Sequence, residues 1–219
     1  MLSGIDVSHY QEVIDWPKVR ASGVRFAIIK ASEGVEYADP MFEENFKSAL
    51  AAGIIPGSYH FFLPGQDPLK QAQHHWEVVS AVCGSRPCLP PCIDLETAGA
   101  TKAQMNAIVG GFLQELQRLD GRPGLLYTSP GFWNTYMPVP VVSQYRLPVS
   151  QVDWAASHPL WIAHYTTGWP SQVYPWAGWT FWQYSSAGKI SGIRSRVDLD
   201  YFNGSLGDLE ALAERRGNA

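Results

Sequence analysis

The chain carries the segment Leu89-Pro90-Pro91-Cys92-Ile93-Asp94-Leu95-Glu96, an apolar run that ends in two carboxyl groups at alternate positions. In a strand, residues i and i+2 point to the same face, with Cα atoms roughly 6.5–7 Å apart. Two acids so close do not ionise independently, because like charges raise the pKa of one of them. A carboxyl group that keeps its proton beside an ionised one is what cleavage of a glycosidic bond requires. The structural alternative is a cap, since Asp and Glu often open helices.

Before Thr128, short apolar runs alternate with helical patterns. This order of strand and helix is typical of a parallel sheet that is covered by helices. The clearest predicted helix is Thr101–Leu119. Its apolar residues are spaced for one buried face, at Ile108, Phe112, Leu116 and Leu119. The predicted strands are Gly4–Ser8, Val24–Lys30, Ile54–Phe61, Leu89–Leu95 and Gly124–Thr128, and the predicted helices are Asp15–Ala21, Met41–Ala52, Leu69–Val82 and Thr101–Leu119.

After Thr128, predicted strands are joined by loops rich in Pro, Gly and Trp, with little helical periodicity. The whole pattern predicts an α/β fold, an irregular eight-stranded β/α (TIM-like) barrel whose helices are reduced in the last third. No linker or repeat divides the chain, so residues 1–219 are predicted to form a single domain with a short helical tail over 208–219. The predicted strands of this part are Trp161–Tyr165, Thr180–Tyr184 and Val197–Tyr201.

The composition excludes several classes of protein. With 46% hydrophobic and 16% charged residues, the 219-residue chain can build a sizeable core. A formal net charge of -4, without a run of Lys or Arg, argues against a nucleic-acid partner. No apolar stretch reaches transmembrane length, so no membrane insertion is predicted. The start, Met1-Leu2-Ser3-Gly4, lacks the basic and apolar segments of a secretion signal.

Three cysteines lie close together at Cys83, Cys88 and Cys92. Cys92 is predicted to be a buried strand residue, whereas Cys83 and Cys88 either close a short disulfide in an oxidising compartment or stay thiols. A zinc site would need a fourth ligand at matching spacing, and the nearest histidines, His74 and His75, are predicted to lie on the surface of a helix. The sequence predicts neither a metal site nor a cofactor.

Polar or aromatic residues follow every predicted strand, and in parallel barrels the carboxyl ends of the strands carry the chemistry. Each has a structural alternative: Asp6 could cap a turn, Lys30 and Glu33 could form an exposed pair, and His164 could be a core histidine. The group at the strand ends is Asp6, His9, Tyr10, Lys30, Glu33, Tyr59, His60, Asp94, Glu96, Tyr127, His164, Tyr165, Gln183, Tyr184, Asp198 and Asp200. Alternation places Asp198 and Asp200 on the same face of their strand and does not choose between them.

Several motifs together resemble glycoside hydrolase family 25, the muramidase family of Chalaropsis-type lysozymes and many phage endolysins. The match runs from about Ser3 to Gly204 and includes the motifs in order. They are Gly4-Ile5-Asp6-Val7-Ser8-His9-Tyr10-Gln11, Lys30-Ala31-Ser32-Glu33-Gly34, Gly57-Ser58-Tyr59-His60-Phe61, Asp94-Leu95-Glu96, and Trp182-Gln183-Tyr184 with Val197-Asp198. The resemblance implies one catalytic domain with an irregular eight-stranded β/α barrel. It also implies hydrolysis of the β-1,4 bond between N-acetylmuramic acid and N-acetylglucosamine in bacterial peptidoglycan.

Carried over position by position, the resemblance assigns Glu96 as the general acid and Asp94 as its companion carboxylate. Asp6 and Asp198 match the other two acids of the family's site, which favours Asp198 over Asp200. The expected substrate-binding residues are Tyr59, Tyr127, Tyr165, Lys30, Glu33, His164 and Gln183.

Asp94 lies on the acid's side of the bond, so we expect the substrate's 2-acetamido group to be the nucleophile, with retention of configuration. The expected partner is bacterial peptidoglycan, acted on by a monomer that is secreted or released by a phage. The main alternative is a catalytically silent barrel that binds peptidoglycan or chitin. A chitinase-like barrel would want acids where Leu89 and Cys92 stand, and a metal-dependent deacetylase would want an Asp-His-His cluster.

Overall fold

The computed structural model describes residues 1–138 and 151–214. The strands are β1 Leu2–Val7, β2 Phe26–Glu33, β3 Tyr37–Ala38, β4 Ile55–Phe61, β5 Cys92–Asp94, β6 Leu125–Thr128, β7 Leu160–Ala163, β8 Phe181–Gly188 and β9 Val197–Phe202. The helices are α1 Trp16–Ala21, α2 Phe42–Ala51, α3 Pro68–Cys83, α4 Lys102–Asp120, α5 Pro130–Tyr136 and α6 Leu206–Ala213, with short 3-10 helices at His9–Gln11 and Asp153–Ser157.

Eight strands close into a barrel in the order β1-β9-β8-β7-β6-β5-β4-β2, and β2 pairs with β1 to complete it. Strands β1, β2 and β4 to β8 run parallel, while β9 runs antiparallel to both of its neighbours, β8 and β1. The predicted α/β barrel is therefore confirmed. Because β9 is reversed, its first residues lie at the same edge as the last residues of the parallel strands.

The structure differs from the predicted elements in three places. β3 adds a short hairpin partner to β2, outside the closed barrel. Helix α5 was not predicted; Ser129 caps it, since its side chain accepts a hydrogen bond from the backbone N–H of Phe132. With only seven residues, α5 is too short to show an amphipathic repeat. The predicted helical tail over 208–219 corresponds to α6, Leu206–Ala213, and positions 215–219 lie outside the described residues.

Helix α4 shows how the sequence fixes an element. Thr101 and Gln104 form a reciprocal capping box, in which each side chain satisfies the other residue's backbone N–H. The buried face consists of Met105, Val109, Phe112, Leu113 and Leu116, with the predicted Ile108 and Leu119 half-buried at its margin. No helix of residues 1–138 or 151–214 is long and apolar enough to span a bilayer.

The interior of the barrel is closed at its amino end by α6. Leu209 and Ala213 are buried in one apolar cluster with Phe26, Phe181 and Phe202, which point inward from β2, β8 and β9. The helix is tied down by backbone contacts as well, because the N–H of Cys88 donates to the carbonyl of Ala213 at 3.1 Å. This packing leaves the carboxyl edge of the strands as the open end of the barrel.

The surface position predicted for His75 is wrong. Its side chain is fully buried between α3 and the barrel, whereas His74 is half-buried, with its Nε2 3.0 Å from the carbonyl oxygen of Tyr37. A histidine can be buried there because Ser32 and Ser58 offer hydroxyl groups to its two ring nitrogens, at 2.8 and 3.4 Å.

His60 and His75 share one network whose proton positions follow from the chemistry of its ends. The Oε1 of Gln71 accepts from the N–H of Leu63, so His60 Nε2, 3.1 Å from the same oxygen, must donate to it. The Nδ1 of a neutral His60 then accepts from the hydroxyl of Ser32, which in turn accepts from His75 Nδ1, both at 2.8 Å. Burial lowers the pKa of His60 to about 3 and lowers that of His75 well below its ordinary value.

Candidate active site

A cavity of about 200 Å³ opens at the carboxyl edge of the barrel. It gathers acidic and aromatic side chains from strands that are far apart in sequence, as the closed sheet requires. The lining residues are Asp6, Tyr10, Lys30, Tyr59, Phe61, Asp94, Glu96, Tyr127, Trp161, Gln183 and Asp198.

Asp6 and Asp198 lie together on one side of the cavity. They are directly opposite each other in the antiparallel pairing of β1 with β9. The side-chain amide of Gln183 joins them, because its Nε2 lies 2.8 Å from Oδ2 of Asp6 and 3.3 Å from Oδ2 of Asp198. Burial raises the pKa of Asp6 well above its ordinary value, and Asp200 and Asp198 add to the increase.

Two tyrosines fix the orientation of Gln183. The hydroxyl groups of Tyr127 and Tyr165 both donate to Gln183 Oε1, at 2.9 and 2.8 Å. Since the carbonyl end of the amide takes both hydroxyls, its NH₂ end faces the two carboxyl groups. The side chain of Gln183 is nearly fully buried, so this arrangement is held by packing as well as by hydrogen bonds.

Asp94 and Glu96 lie together where β5 ends. Leu95, between them, is held on both of its polar backbone groups: its N–H donates to the carbonyl of Tyr127, and its carbonyl accepts from the hydroxyl of Thr128, both at 3.0 Å. Because Leu95 is buried on the outer side, Asp94 and Glu96 both reach the cavity. Asp94 is 7% exposed and lies deeper, whereas Glu96 is at the mouth, where water reaches it.

The surroundings of these two acids favour the protonated form to different degrees. Burial, and then the charge of Glu96, raise the pKa of Asp94 well above its ordinary value, while Lys30 opposes the increase. Partial burial also raises the pKa of Glu96; Lys30 again opposes the increase and Asp198 adds to it. Lys30 is buried in the cavity wall, with its Nζ 2.7 Å from Glu33 Oε2 and 4.9 Å from the centre of the Phe61 ring.

The structure brings most of the predicted site residues together. Glu33 and Tyr165 adjoin the cavity through Lys30 and Gln183 rather than lining it. His164 lies outside the lining, and its Nδ1 accepts a hydrogen bond from the backbone N–H of Ser171 at 3.0 Å. The predicted residues that line the cavity are Asp6, Lys30, Tyr59, Asp94, Glu96, Tyr127, Gln183 and Asp198.

Two lining residues, Phe61 and Trp161, were not among those named at the strand ends, and a third, Tyr10, was named there but not as an expected substrate-binding residue. Phe61 shares the inward face of β4 with Tyr59, so strand alternation could have found it. Trp161 points inward from β7, so alternation along that strand could have found it as well. Asp200, the open alternative to Asp198, is fully buried one inward position deeper than Asp198, and its Oδ1 accepts from Trp161 Nε1 at 2.8 Å.

Acids dominate the site. In residues 1–138 and 151–214, no three or more His, Cys, Asp or Glu side chains are grouped so that they could hold a metal ion. The chemistry that the described groups support is proton transfer between a protonated and an ionised carboxyl group, beside a hydrophobic and aromatic wall.

Known proteins resemble this chain in sequence and in fold. The family profile described as Glycosyl hydrolases family 25 matches residues 5–193. Lysozyme M1 of Streptomyces globisporus is 34% identical over 97% of the chain and 71% of its own length. The N,O-diacetylmuramidase of a Chalaropsis species is 30% identical over 97% of the chain and 99% of its own length. The crystal structure of a bacterial lysozyme from Streptomyces coelicolor superposes with a TM-score of 0.83 at 32% identity, covering 97% of this chain and 96% of that one.

Proposed function

The chain belongs to glycosyl hydrolases family 25 and is a muramidase of the lysozyme type, and we propose that Glu96, Asp94, Asp6 and Asp198 carry its reaction. The reaction is hydrolysis of the β-1,4 bond between N-acetylmuramic acid and N-acetylglucosamine in bacterial peptidoglycan. The observation that carries the assignment of residues is the meeting of all four carboxyl groups in one cavity at the open end of the barrel.

Glu96 is the proton donor in this proposal. It is at the mouth of the cavity, where the leaving sugar can reach it, and its surroundings raise its pKa. A general acid needs a pKa near the working pH so that it holds the proton and still releases it. Lys30 opposes the increase and so keeps the proton from being held too tightly.

Asp94 acts through the substrate rather than by direct attack. It is the last residue of β5, two positions before Glu96, and reaches the cavity from the same side, whereas a carboxylate nucleophile must face the acid across the bond. We assign the attack to the carbonyl oxygen of the substrate's own 2-acetamido group. Asp94 then orients that group by accepting a hydrogen bond from its N–H and stabilises the positive charge that develops on it.

Asp6 and Asp198 form the opposite wall with Gln183. Their negative charge stabilises the positive charge that develops at the anomeric carbon in the transition state. Tyr59 and Tyr127 provide ring surface and hydroxyl groups for the sugar, beside Trp161. Water then opens the cyclic intermediate, with Glu96 as the base, so the configuration at the anomeric carbon is retained.

The first test is digestion of purified peptidoglycan, followed by borohydride reduction and mass spectrometry of the new ends. Reduced N-acetylmuramic acid is expected, whereas reduced N-acetylglucosamine would contradict the bond assignment. Proton NMR of the first product distinguishes the mechanisms, because an inverted anomer would exclude assistance by the acetamido group. Binding of peptidoglycan without any cleavage would support the catalytically silent barrel instead.

The biological setting follows from the substrate. A muramidase acts on the bacterial cell wall, and we propose that this one does so outside the cytoplasm, after secretion or release by a phage. We also propose that it works as a monomer, since the cavity is built by one chain alone. Size-exclusion chromatography with light scattering checks this, and a dimer at assay concentrations would contradict it.

A further inference from the structure

Asp200 is a buried carboxyl group to which the proposed reaction gives no role. Its side chain is fully buried, between Asp198 at the cavity and Phe202 in the apolar interior of the barrel. Its Oδ1 accepts from Trp161 Nε1, but its Oδ2 has no N–H or O–H donor among the described residues, if carboxyl groups are left aside. A buried carboxylate oxygen without a donor is costly, so a proton is expected there.

The neighbour that faces Asp200 is Asp6. Gly4 pairs with Asp200 and Asp6 with Asp198, so the inward side chains of Asp6 and Asp200 are diagonal neighbours on adjacent strands, and their carboxyl groups are in contact. Two ionised carboxylates have no hydrogen to share. The contact therefore requires one proton between them.

Within residues 1–138 and 151–214, the remaining surroundings offer no cation to replace that proton. The titratable groups that interact electrostatically with Asp6 or Asp200 are Tyr59, Cys92, Tyr127, Tyr165, Tyr184 and Asp198, and each of them is either neutral or negatively charged. Lys30 pairs with Glu33 on the side of Asp94 and Glu96. Burial raises the pKa of Asp200 to about 7, and burial together with Asp200 raises that of Asp6.

We propose that Asp200 is a positioning residue that shares one proton with Asp6, and that this hydrogen bond fixes the Asp6 carboxyl group toward the substrate. Two hydrogen bonds then hold Asp6: Gln183 Nε2 donates to its Oδ2 at 2.8 Å, and the proton shared with Asp200 binds it on the side of the barrel interior. The carboxyl group of Asp198 also interacts with that of Asp6, but it competes less well for the proton, since it is half-exposed to water and already receives a hydrogen bond from Gln183.

The proposal rests on the proposed function, because it gives Asp200 a task only if Asp6 serves the substrate. The shared proton is detected independently of activity. Infrared spectroscopy at about pH 6 measures the C=O stretching band of protonated carboxyl groups, which ordinary Asp and Glu lack at that pH. Asp200→Asn should remove intensity for one protonated carboxyl group, whereas Asp15→Asn, at an exposed and ion-paired residue, should remove none. An unchanged band in Asp200→Asn would overturn the proposal.

Kinetics then separate positioning from a merely structural role. Asparagine keeps a donor toward Asp6, so Asp200→Asn should retain kcat within about 3-fold, whereas Asp200→Leu, which has no donor, should lose about 10-fold in kcat with a smaller change in KM. Equal losses in both variants would overturn the proposal, and so would two variants that both work like the wild type. If Asp200→Leu does not fold, the infrared band and the kcat of Asp200→Asn decide. If Asp200→Asn loses the band but the wild type cleaves no peptidoglycan, the proposed function is refuted while the shared proton is supported.

Discussion

Asp6 stands directly opposite Asp198 across the antiparallel pair β1 and β9, and a single amide, that of Gln183, donates to both carboxyl groups. The reversal of β9 makes this possible, because it brings the start of the last strand to the edge where the parallel strands end. The acidic wall of the site therefore depends on the one strand that breaks the parallel order of the barrel.

We expect Glu96→Gln to lower the rate of peptidoglycan cleavage by about 10² to 10⁴-fold, because it removes the proton donor and nearly keeps the shape. Turbidity loss of cell-wall suspensions and the release of reducing ends measure the effect. Glu77→Gln, on the exposed side of α3, serves as the matched control and should keep full activity. Near-normal turnover in Glu96→Gln would move the role of the acid to another residue.

The orientation of Gln183 should depend on the two hydroxyl groups that bind its carbonyl end. Tyr127→Phe and Tyr165→Phe each remove one hydrogen bond and should lower kcat by about 2 to 10-fold, the range of one hydrogen bond to a neutral group. The double variant leaves Oε1 without either hydroxyl, so its loss should exceed that of each single variant. Tyr136→Phe, at a residue outside the cavity, is the control. A double variant as active as the wild type would show that packing alone orients the amide.

Stability should respond to pH through the buried pair His60 and His75. Their folded-state pKa values are lowered, so their contribution is complete above the unfolded pKa near 6.5 and is lost as the pH falls. Each neutral histidine should cost about 1.4 kcal/mol of unfolding free energy per pH unit once the unfolded chain is protonated. His60→Gln removes one of the two, so the free energy of unfolding should fall less steeply between about pH 6.5 and 4.5.

Chemical denaturation at a series of pH values measures this slope. The buried acids Asp6 and Asp94 act in the opposite direction, since raised pKa values make the folded state bind more protons, and stability then falls as the pH rises. The wild type and His60→Gln both contain these acids, so the difference between their curves of unfolding free energy against pH reports the contribution of His60. The curves should run parallel above about pH 7.5. Equal slopes below pH 6.5 would show that His60 takes up a proton in the folded state.

The pairing of Cys83 with Cys88 stays a prediction that can be measured directly. Their sulfur atoms are buried and lie 2.6 Å apart, at the end of α3 and just before β5. Treatment with oxidised glutathione should yield a protein lighter by two hydrogen atoms and more stable by about 2 kcal/mol, as expected for a short loop. Cys92→Ala should keep the mass change, and Cys88→Ser should abolish it. Three titratable thiols in the unfolded, oxidant-treated wild type would contradict the pairing.

Elements with a regular pattern of apolar residues were predicted from the sequence, whereas features that depend on contacts between distant residues were missed. All eight barrel strands were predicted, because each is a short apolar run between turn residues, and alternation placed Asp94 beside Glu96. The direction of β9 was not predicted, since a strand has the same pattern in either direction. His75 was placed on the surface because a helical repeat does not show which hydroxyl groups stand opposite it. Ser32 and Ser58, which make its burial possible, belong to two other elements.

Of the candidate site, the four acids were named because the family motifs include them. The residues around them were predicted less completely: Phe61 and Trp161, which line the cavity from the inward faces of β4 and β7, were not named, and Tyr10 was named only as a strand-end residue. Alternation alone could not tell Asp200 from Asp198; the family resemblance favoured Asp198, and in the structure the two differ in their depth in the barrel. Alternation gives the face of a strand, whereas the distance from the open edge depends on how the strands are staggered.

Because α6 closes the amino end of the barrel, its place in the chain has a consequence for the order in which the fold is synthesised. The nine described strands all precede α6 in the chain, so the ribosome synthesises this helix after every strand of the barrel. Until Leu209 and Ala213 arrive, the rings of Phe26, Phe181 and Phe202 face water at the amino end of the barrel. The nascent barrel therefore exposes these apolar side chains at its amino end until α6, the helix that covers them, has been synthesised.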